Sequence, residues 1–398
     1  SSKLKQHLIS AGYSPALGNL EIWKRVSDDG EQYIYFAVQT DDFFGFGTPE
    51  ECTKLKSVLE SEYDLSAWQD SWSEVSGFAL NLSKDMMRVS FSAEKYIKRA
   101  TESLGEDALP YSPAIPYTSV IKDISISEND TVPKETLAVM QPAARTLIGE
   151  LIWISTVRSE IAHTVNTLAA YMSSPTPLVY KAARQVLAYL MGTVEDGDTF
   201  HVPSLEALYY DGKVPAVPHS KAYASSLYLH MLTDANLPKP DMTKASARSI
   251  SGICIMFAGG PLDSGSSRQH AISTASTTSE AMALSLGTQR LIPLIDLLRF
   301  FGLRIDQPVP TFCDNTMAAL IAANNASIKR TAYALRRLLF VCEAVDEKVV
   351  KIFKVPTADN FSDVLTKSLP APAFKRHLPY LTGRGRPLTY TPGSSYSN

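Results

Sequence analysis

SSLYLHMLTDA (225–235), SISGICIMFAGG (249–260) and RQHAISTA (268–275) are three apolar runs separated by polar and glycine-containing stretches, and each reads as a β-strand. The spacing then predicts a long helix over 277–301, a strand at VPTFCD (309–314), helices over 315–323 and 331–346, a strand at VVKIFKV (349–355) and a short helix over 360–368. Three antiparallel strands followed by alternating helices and strands make a mixed five-stranded α/β sheet. Working outward, Leu147, Leu151, Ile154, Ile161, Val165 and Leu168 recur at helical spacing within 142–192, where Pro175 and Pro177 start the last helix. Pro110, Pro113, Pro116 and Pro133 lie among Ser and Thr in 105–135, which is linker chemistry and places a domain boundary there. Further upstream, QYIYFAVQTDDFFGFG (32–47) reads as strand, turn and strand with Asp41 and Asp42 in the turn, and FALNLSKDMMRVSFS (78–92) as a second hairpin.

The chain has 398 residues, 45% hydrophobic and 20% charged, a composition that suits a folded protein long enough for two or three domains, whose element order makes it α/β, or α+β. No run of 18 apolar residues and no basic-apolar-small leader is present, so no membrane partner is expected. Cys52, Cys254, Cys313 and Cys342 show no metal-ligand spacing and read as core thiols of a reducing compartment. Residues 1–227 carry 19 Lys and Arg against 29 Asp and Glu, whereas 373–398 carry four bases and no acid. That balance is weak for a free-standing nucleic-acid binder, which shows a clear positive excess. Dinucleotide, P-loop and serine-hydrolase motifs are absent.

Asp234, Asp314 and Asp363 each sit where an apolar element ends. Converging carboxylates at strand ends are what two divalent ions need in order to cleave a phosphodiester, although an Asp there can also simply cap or turn its element. TDA (233–235), ISGICIMFAGGPLD (250–263), FCDN (312–315) and KVPTADNFSDVLTKSLP (354–370) resemble the ribonuclease H domain of copia-type LTR retrotransposon Pol polyproteins. The helical stretch 144–193 resembles the thumb-to-connection helices of that family, and VQTDDFFGFGT (38–48) resembles its polymerase palm hairpin. The resemblance implies a partial reverse-transcriptase palm and thumb over 1–120, a linker and helical connection over 121–225, a ribonuclease H-like domain over 226–372 and a flexible tail over 373–398.

It also implies RNA-directed DNA synthesis and two-metal hydrolysis of RNA in RNA–DNA hybrids, with Mg²⁺ or Mn²⁺ as cofactor. Asp234, Asp314 and Asp363 match ribonuclease H ligands, and Asp41 and Asp42 match the paired palm aspartates. Template-primer or hybrid nucleic acid and the rest of the Pol polyprotein would be the partners, in a cytoplasmic particle or the nucleus. Arg268, Lys329, Arg330, Arg336 and Arg337 could contact phosphates, or could form an ordinary solvated face.

Three departures bear on activity. A gapless alignment puts Thr278 at the expected fourth carboxylate; Glu280, two residues on, is the remaining candidate for that role and would be turned about 200° away from Asp234 unless the helix starts in a different register. Gln39 replaces the usual Tyr of the palm motif, and the chain begins after the palm strand that bears the first catalytic aspartate. The expectation is therefore a polymerase-incompetent chain with a weakened ribonuclease H site. The alternative is a catalytically dead remnant that binds nucleic acid or another protein. Pro293 inside the long helix is expected to divide or strain it.

Overall fold

A computed structural model of the chain describes residues 2–39, 42–65, 68–69, 73–84, 88–117, 126–201, 229–237, 247–273, 275–303, 305, 308–314 and 335–384. They fall into two compact units, one of 1–75 with 290–306 and one of 76–289 with 307–398.

The smaller unit opens with helix α1 (Ser2–Ser10) and an antiparallel sheet of β1 (Ser14–Ala16), β2 (Asn19–Val26), β3 (Tyr33–Gln39) and β4 (Asp42–Gly47), in that order. Helix α2 (Pro49–Glu60) and the two-residue strand β5 (Glu74–Val75) follow. The aromatic alternation of 33–47 becomes the expected hairpin, with Val38 opposite Phe43 and Gln39 opposite Asp42. Of its aromatics, Phe36 is core, packing with Tyr13, Trp23, Ile34, Leu55 and Leu59, and Phe43 packs against that cluster, whereas Tyr33 and Phe46 are exposed. A side chain at Gly47 would meet the Tyr33 carbonyl at 2.4 Å, so the return strand needs glycine there to lie close to its partner.

In the larger unit, strands β6 (Phe78–Leu82), β7 (Arg88–Ser92) and β8 (Thr199–His201) pair antiparallel in sequence order. Helices α3 (Glu94–Leu104), α4 (Lys134–Ile154), α5 (Ala162–Ala169) and α6 (Pro177–Met191) lie between β7 and β8 in the chain. Thr176 caps α6 by accepting a hydrogen bond from the Val179 amide, and Pro177 fills the first turn. The principal sheet has five strands, β9 (His230–Ala235), β10 (Ile250–Phe257), β11 (Gly260–Arg268), β12 (Val309–Cys313) and β13 (Val350–Lys354), in the order β11-β10-β9-β12-β13. The contacts of β9 with β10 and of β10 with β11 are antiparallel, and those of β12 with β9 and β13 are parallel. This is the expected mixed sheet. Of helix α7 (Ser276–Phe300), residues 276–289 belong to the larger unit and 290–300 to the smaller, and α8 (Leu335–Asp346) and α9 (Ala371–Leu381) complete the described α-helices.

Four expectations need correction. The third strand is GPLDSGSSR (260–268), not 268–275: Ala258 and Gly259, at φ 50° and 73°, turn the chain back at once, so the return strand starts earlier than its Ser- and Gly-rich composition suggests. The boundary expected within 105–135 falls inside the larger unit, because buried residues of α3 to α6 share one core cluster with Leu232, Cys254, Phe312, Phe361 and Leu365. The tail expected from 373 begins as α9, whose Phe374 and Leu381 are fully buried in that core, while 385–398 lie outside the described residues. Finally, of the two outcomes expected at Pro293, the division of the helix does not occur: α7 runs through it as one helix. By length and composition α7 could cross a bilayer, with a mean hydropathy of 1.2 over its most apolar stretch, but 56% of that stretch is buried within the protein.

Beside this core lies a buried polar knot. Arg158 and Glu160 form a fully buried ion pair at 2.7 Å, Arg158 also donates to the Thr193 carbonyl at 2.9 Å, and Ser159 Oγ donates to Asp198 Oδ2. Burial first, and Glu160 next, push the Asp198 carboxyl up to about 8. The folded chain therefore keeps a proton that the unfolded chain releases near pH 4, at about the ordinary carboxylate value. The stability this group contributes is complete below that pH and falls as the pH rises towards about 8. Asp198→Asn, which carries no titrating proton, should flatten the decline in urea midpoint over about pH 5 to 8. Phe374→Ala should cost about 3–5 kcal/mol in the same denaturation experiment; a loss below about 1 kcal/mol would mean that α9 is not part of the core.

Candidate metal centre

The site begins with strand register. Phe312 on β12 pairs with Leu232 on the parallel strand β9. Two residues on from each come Asp314 and Asp234, so the pleat puts both carboxylates at the same level on the same face of adjacent strands. On the other side of β9, Asp234 faces Gly252 of β10. A side chain at Gly252 would meet Thr366 Cγ2 at 2.7 Å and Leu365 Cβ at 2.9 Å, so glycine there lets the 361–367 segment rest on the sheet beside Asp234.

Glu280 enters from α7. Gln269, only 7% exposed, donates through Nε2 to the Ser279 carbonyl at 2.8 Å and to Ser251 Oγ at 2.9 Å, pinning the start of α7 to β10. In that register Glu280 points at the strand ends: one ligand oxygen each from Asp234, Glu280 and Asp314 lies within 4.8 Å of the others. The expectation that Glu280 faces away is thus overturned. The 200° separation from Thr278 holds, but it is Thr278 that lies outside the cluster. Every residue from Thr278 to Ser285 is buried, so the sequence offers no exposed face by which to tell the two sides apart.

Asp363, in a 3-10 turn of Phe361–Leu365, joins through Lys367, whose Nζ stands 2.9 Å from Asp363 Oδ1 and 3.2 Å from Asp234 Oδ2. Thr366 Oγ1 donates to the same Asp234 oxygen. Asn360 Nδ2 donates to the Thr233 carbonyl at 3.2 Å, and Asn236 Nδ2 to the Thr366 carbonyl at 3.1 Å, fastening the segment to β9.

The electrostatics are those of crowded like charges. Burial, then Asp234, then Asp314, push the Glu280 carboxyl up to about 9; burial and Asp234 push Asp363 up to about 7 and raise Asp314 as well. Burial alone would lower the Lys367 ammonium, but Asp234 and Asp363 outweigh it and raise it. Glu280 Oε2 is buried with no hydrogen-bond partner. An all-oxygen, multiply anionic donor set with an orphaned carboxylate oxygen suits a hard divalent cation.

Of the other expected site residues, Asp42 is exposed at the start of β4 in the smaller unit, while Asp41, Lys329 and Arg330 lie outside the described residues. Arg336 and Arg337 are exposed near the start of α8, and Arg268 is half-buried at the end of β11. Gln269, Asn360, Thr366 and Lys367 went unrecognised in the sequence. The four-residue spacing of Asp363 and Lys367 was the one available signal, since it brings an acid and a base together on a helical turn.

No protein-family model matches the chain. Curated relatives include the retrovirus-related Pol polyproteins from transposon TNT 1-94 of Nicotiana tabacum, 25% identical over 89% of the chain, and from transposon RE2 of Arabidopsis thaliana, 22% identical over 94%. The chain spans about a quarter of their length, 24% and 23%. Solved structures with partial likeness include LC11-RNase H1 in complex with an RNA/DNA hybrid, with a TM-score of 0.25 and 16% identity over 33% of this chain and 88% of that one. Another is the prototype foamy virus protease-reverse transcriptase, with a TM-score of 0.26 and 12% identity over 54% of this chain and 29% of that one. In nearly all of its length, the chain is a homologue of a segment of the Pol polyproteins of plant retrotransposons.

Proposed function

We propose that the chain is part of a copia-type LTR retrotransposon Pol protein and that its carboxylate cluster hydrolyses the RNA strand of RNA–DNA hybrids. The observation that carries this reading is the meeting of Asp234, Glu280 and Asp314 at one point, with Asp363 beside them. Asp234, Glu280 and Asp314 would hold Mg²⁺ or Mn²⁺, with Asp363 completing the set. Bound divalent ions supply an activated water and neutralise charge developing on the phosphate. The protein's own part is to fix the carboxylates on two strand ends and one helix, so that little reorganisation is left for the reaction. The exposed Arg336 and Arg337 are available for backbone phosphates of the hybrid. The reading extends to the smaller unit, where the hairpin of β3 and β4 would be that of a palm, with Asp41 and Asp42 as its paired aspartates; the antiparallel pairing of the two strands supports it.

The alternative of a catalytically dead remnant draws on Thr278, Gln39 and the acidic front of the chain; Glu280 beside Asp234 and Asp314 weighs against the first of these. The test is cleavage of a labelled RNA–DNA hybrid by the full chain in Mg²⁺ and in Mn²⁺. Asp234→Asn and Glu280→Gln should each lower the rate at least about 100-fold, whereas Thr278→Glu should bring no gain. Absence of cleavage by the well-folded chain, or activity that survives Glu280→Gln, would sink the proposal.

A further inference from the structure

We propose that Lys367 is a built-in counter-ion, which holds the carboxylates together in the cation-free chain and gives way as a divalent cation enters. It thereby sets how tightly the site binds its metal. The proposal rests on the cation-binding reading above and goes beyond it in naming the group that competes.

The argument is one of occupied lone pairs. Asp234 Oδ2 takes two donors, the Lys367 ammonium at 3.2 Å and the Thr366 hydroxyl. Asp363 Oδ1 takes Lys367 at 2.9 Å. A cation cannot use the same oxygens in full while the ammonium is there, because both require the same lone pairs and the two positive charges repel. Thr366 is fixed through its carbonyl to Asn236, at 3.1 Å, and cannot easily withdraw. Lys367 can: its side chain is 36% exposed, against 1% for Asp234, and a four-carbon stem lets the ammonium swing into water. Glu280 Oε2, with no partner, is meanwhile left open to the incoming ion. Without either cation, Asp234 and Asp363 would face each other with no positive charge between them, and the 361–367 segment would lose one of the contacts that hold it beside β9.

The experiment is a calorimetric titration of the full chain with Mn²⁺, alongside thermal melting of the metal-free protein. Lys367→Met should bind Mn²⁺ at least about tenfold more tightly than the parent, melt at a lower temperature without metal, and gain more from added Mn²⁺. Lys367→Arg, which keeps the charge, should tighten binding far less than Lys367→Met does. Glu280→Gln should weaken binding, which locates the titrated ion. Should Lys367→Met fail to fold, Lys367→Gln carries the same comparison. Equal or weaker Mn²⁺ binding by the uncharged variants, with the parent still binding, overturns the role of Lys367 alone. No binding by either the parent or the uncharged variants, all folded by circular dichroism, overturns the cation-binding reading itself and this proposal with it.

Discussion

The pairing of Phe312 with Leu232 is the constraint on which the candidate site depends. Parallel strands carry their registers forward together, so this one pairing brings Asp314 level with Asp234 without any further device. A slip of one residue would turn one of the two carboxylates to the opposite face. What keeps the register is burial: β9 and β12 are buried at every residue, and their apolar side chains would have to leave the core for any other alignment. The chemistry of the acids is thus secured by the packing of residues that carry none.

The sheet was legible in the sequence, because long apolar runs punctuated by glycine and proline leave few alternatives. Asp234, Asp314 and Asp363 were legible for a related reason: a lone acid at the end of an apolar run marks where a strand meets solvent or a cleft. Glu280 was not, since its orientation depends on where α7 begins, and that is set by a tertiary contact from Gln269 to the Ser279 carbonyl. No local pattern records such a contact. The strand at 260–268 was missed because its Ser and Gly content suits a return strand fixed by its partner's register, whereas its own propensity is poor.

Like-charge crowding shapes the segment after β13. Thr366 and Lys367 place hydroxyl and ammonium donors on the carboxylates at the end of β9, while Asn360 and Asn236 fasten the segment there through the Thr233 and Thr366 carbonyls. Gly252 is the permissive element, since any larger residue would hold the segment off the sheet. Attraction and clearance therefore act on the same few residues, and neither would suffice alone.

The shared core of the larger unit has a consequence for how such a protein can change over evolutionary time. Phe361, Val364 and Leu365, which seat the segment bearing Asp363, pack in one cluster with residues of α3, α4, α5 and α6. A sheet that leans on neighbouring helices in this way is not a portable cassette. Exchange of the sheet alone between related chains would strip an apolar face from one side of it. Sequence drift in the helical stretch would in turn reach the carboxylates through side chains that never touch them. The two regions are bound to diverge together, as one inherited piece.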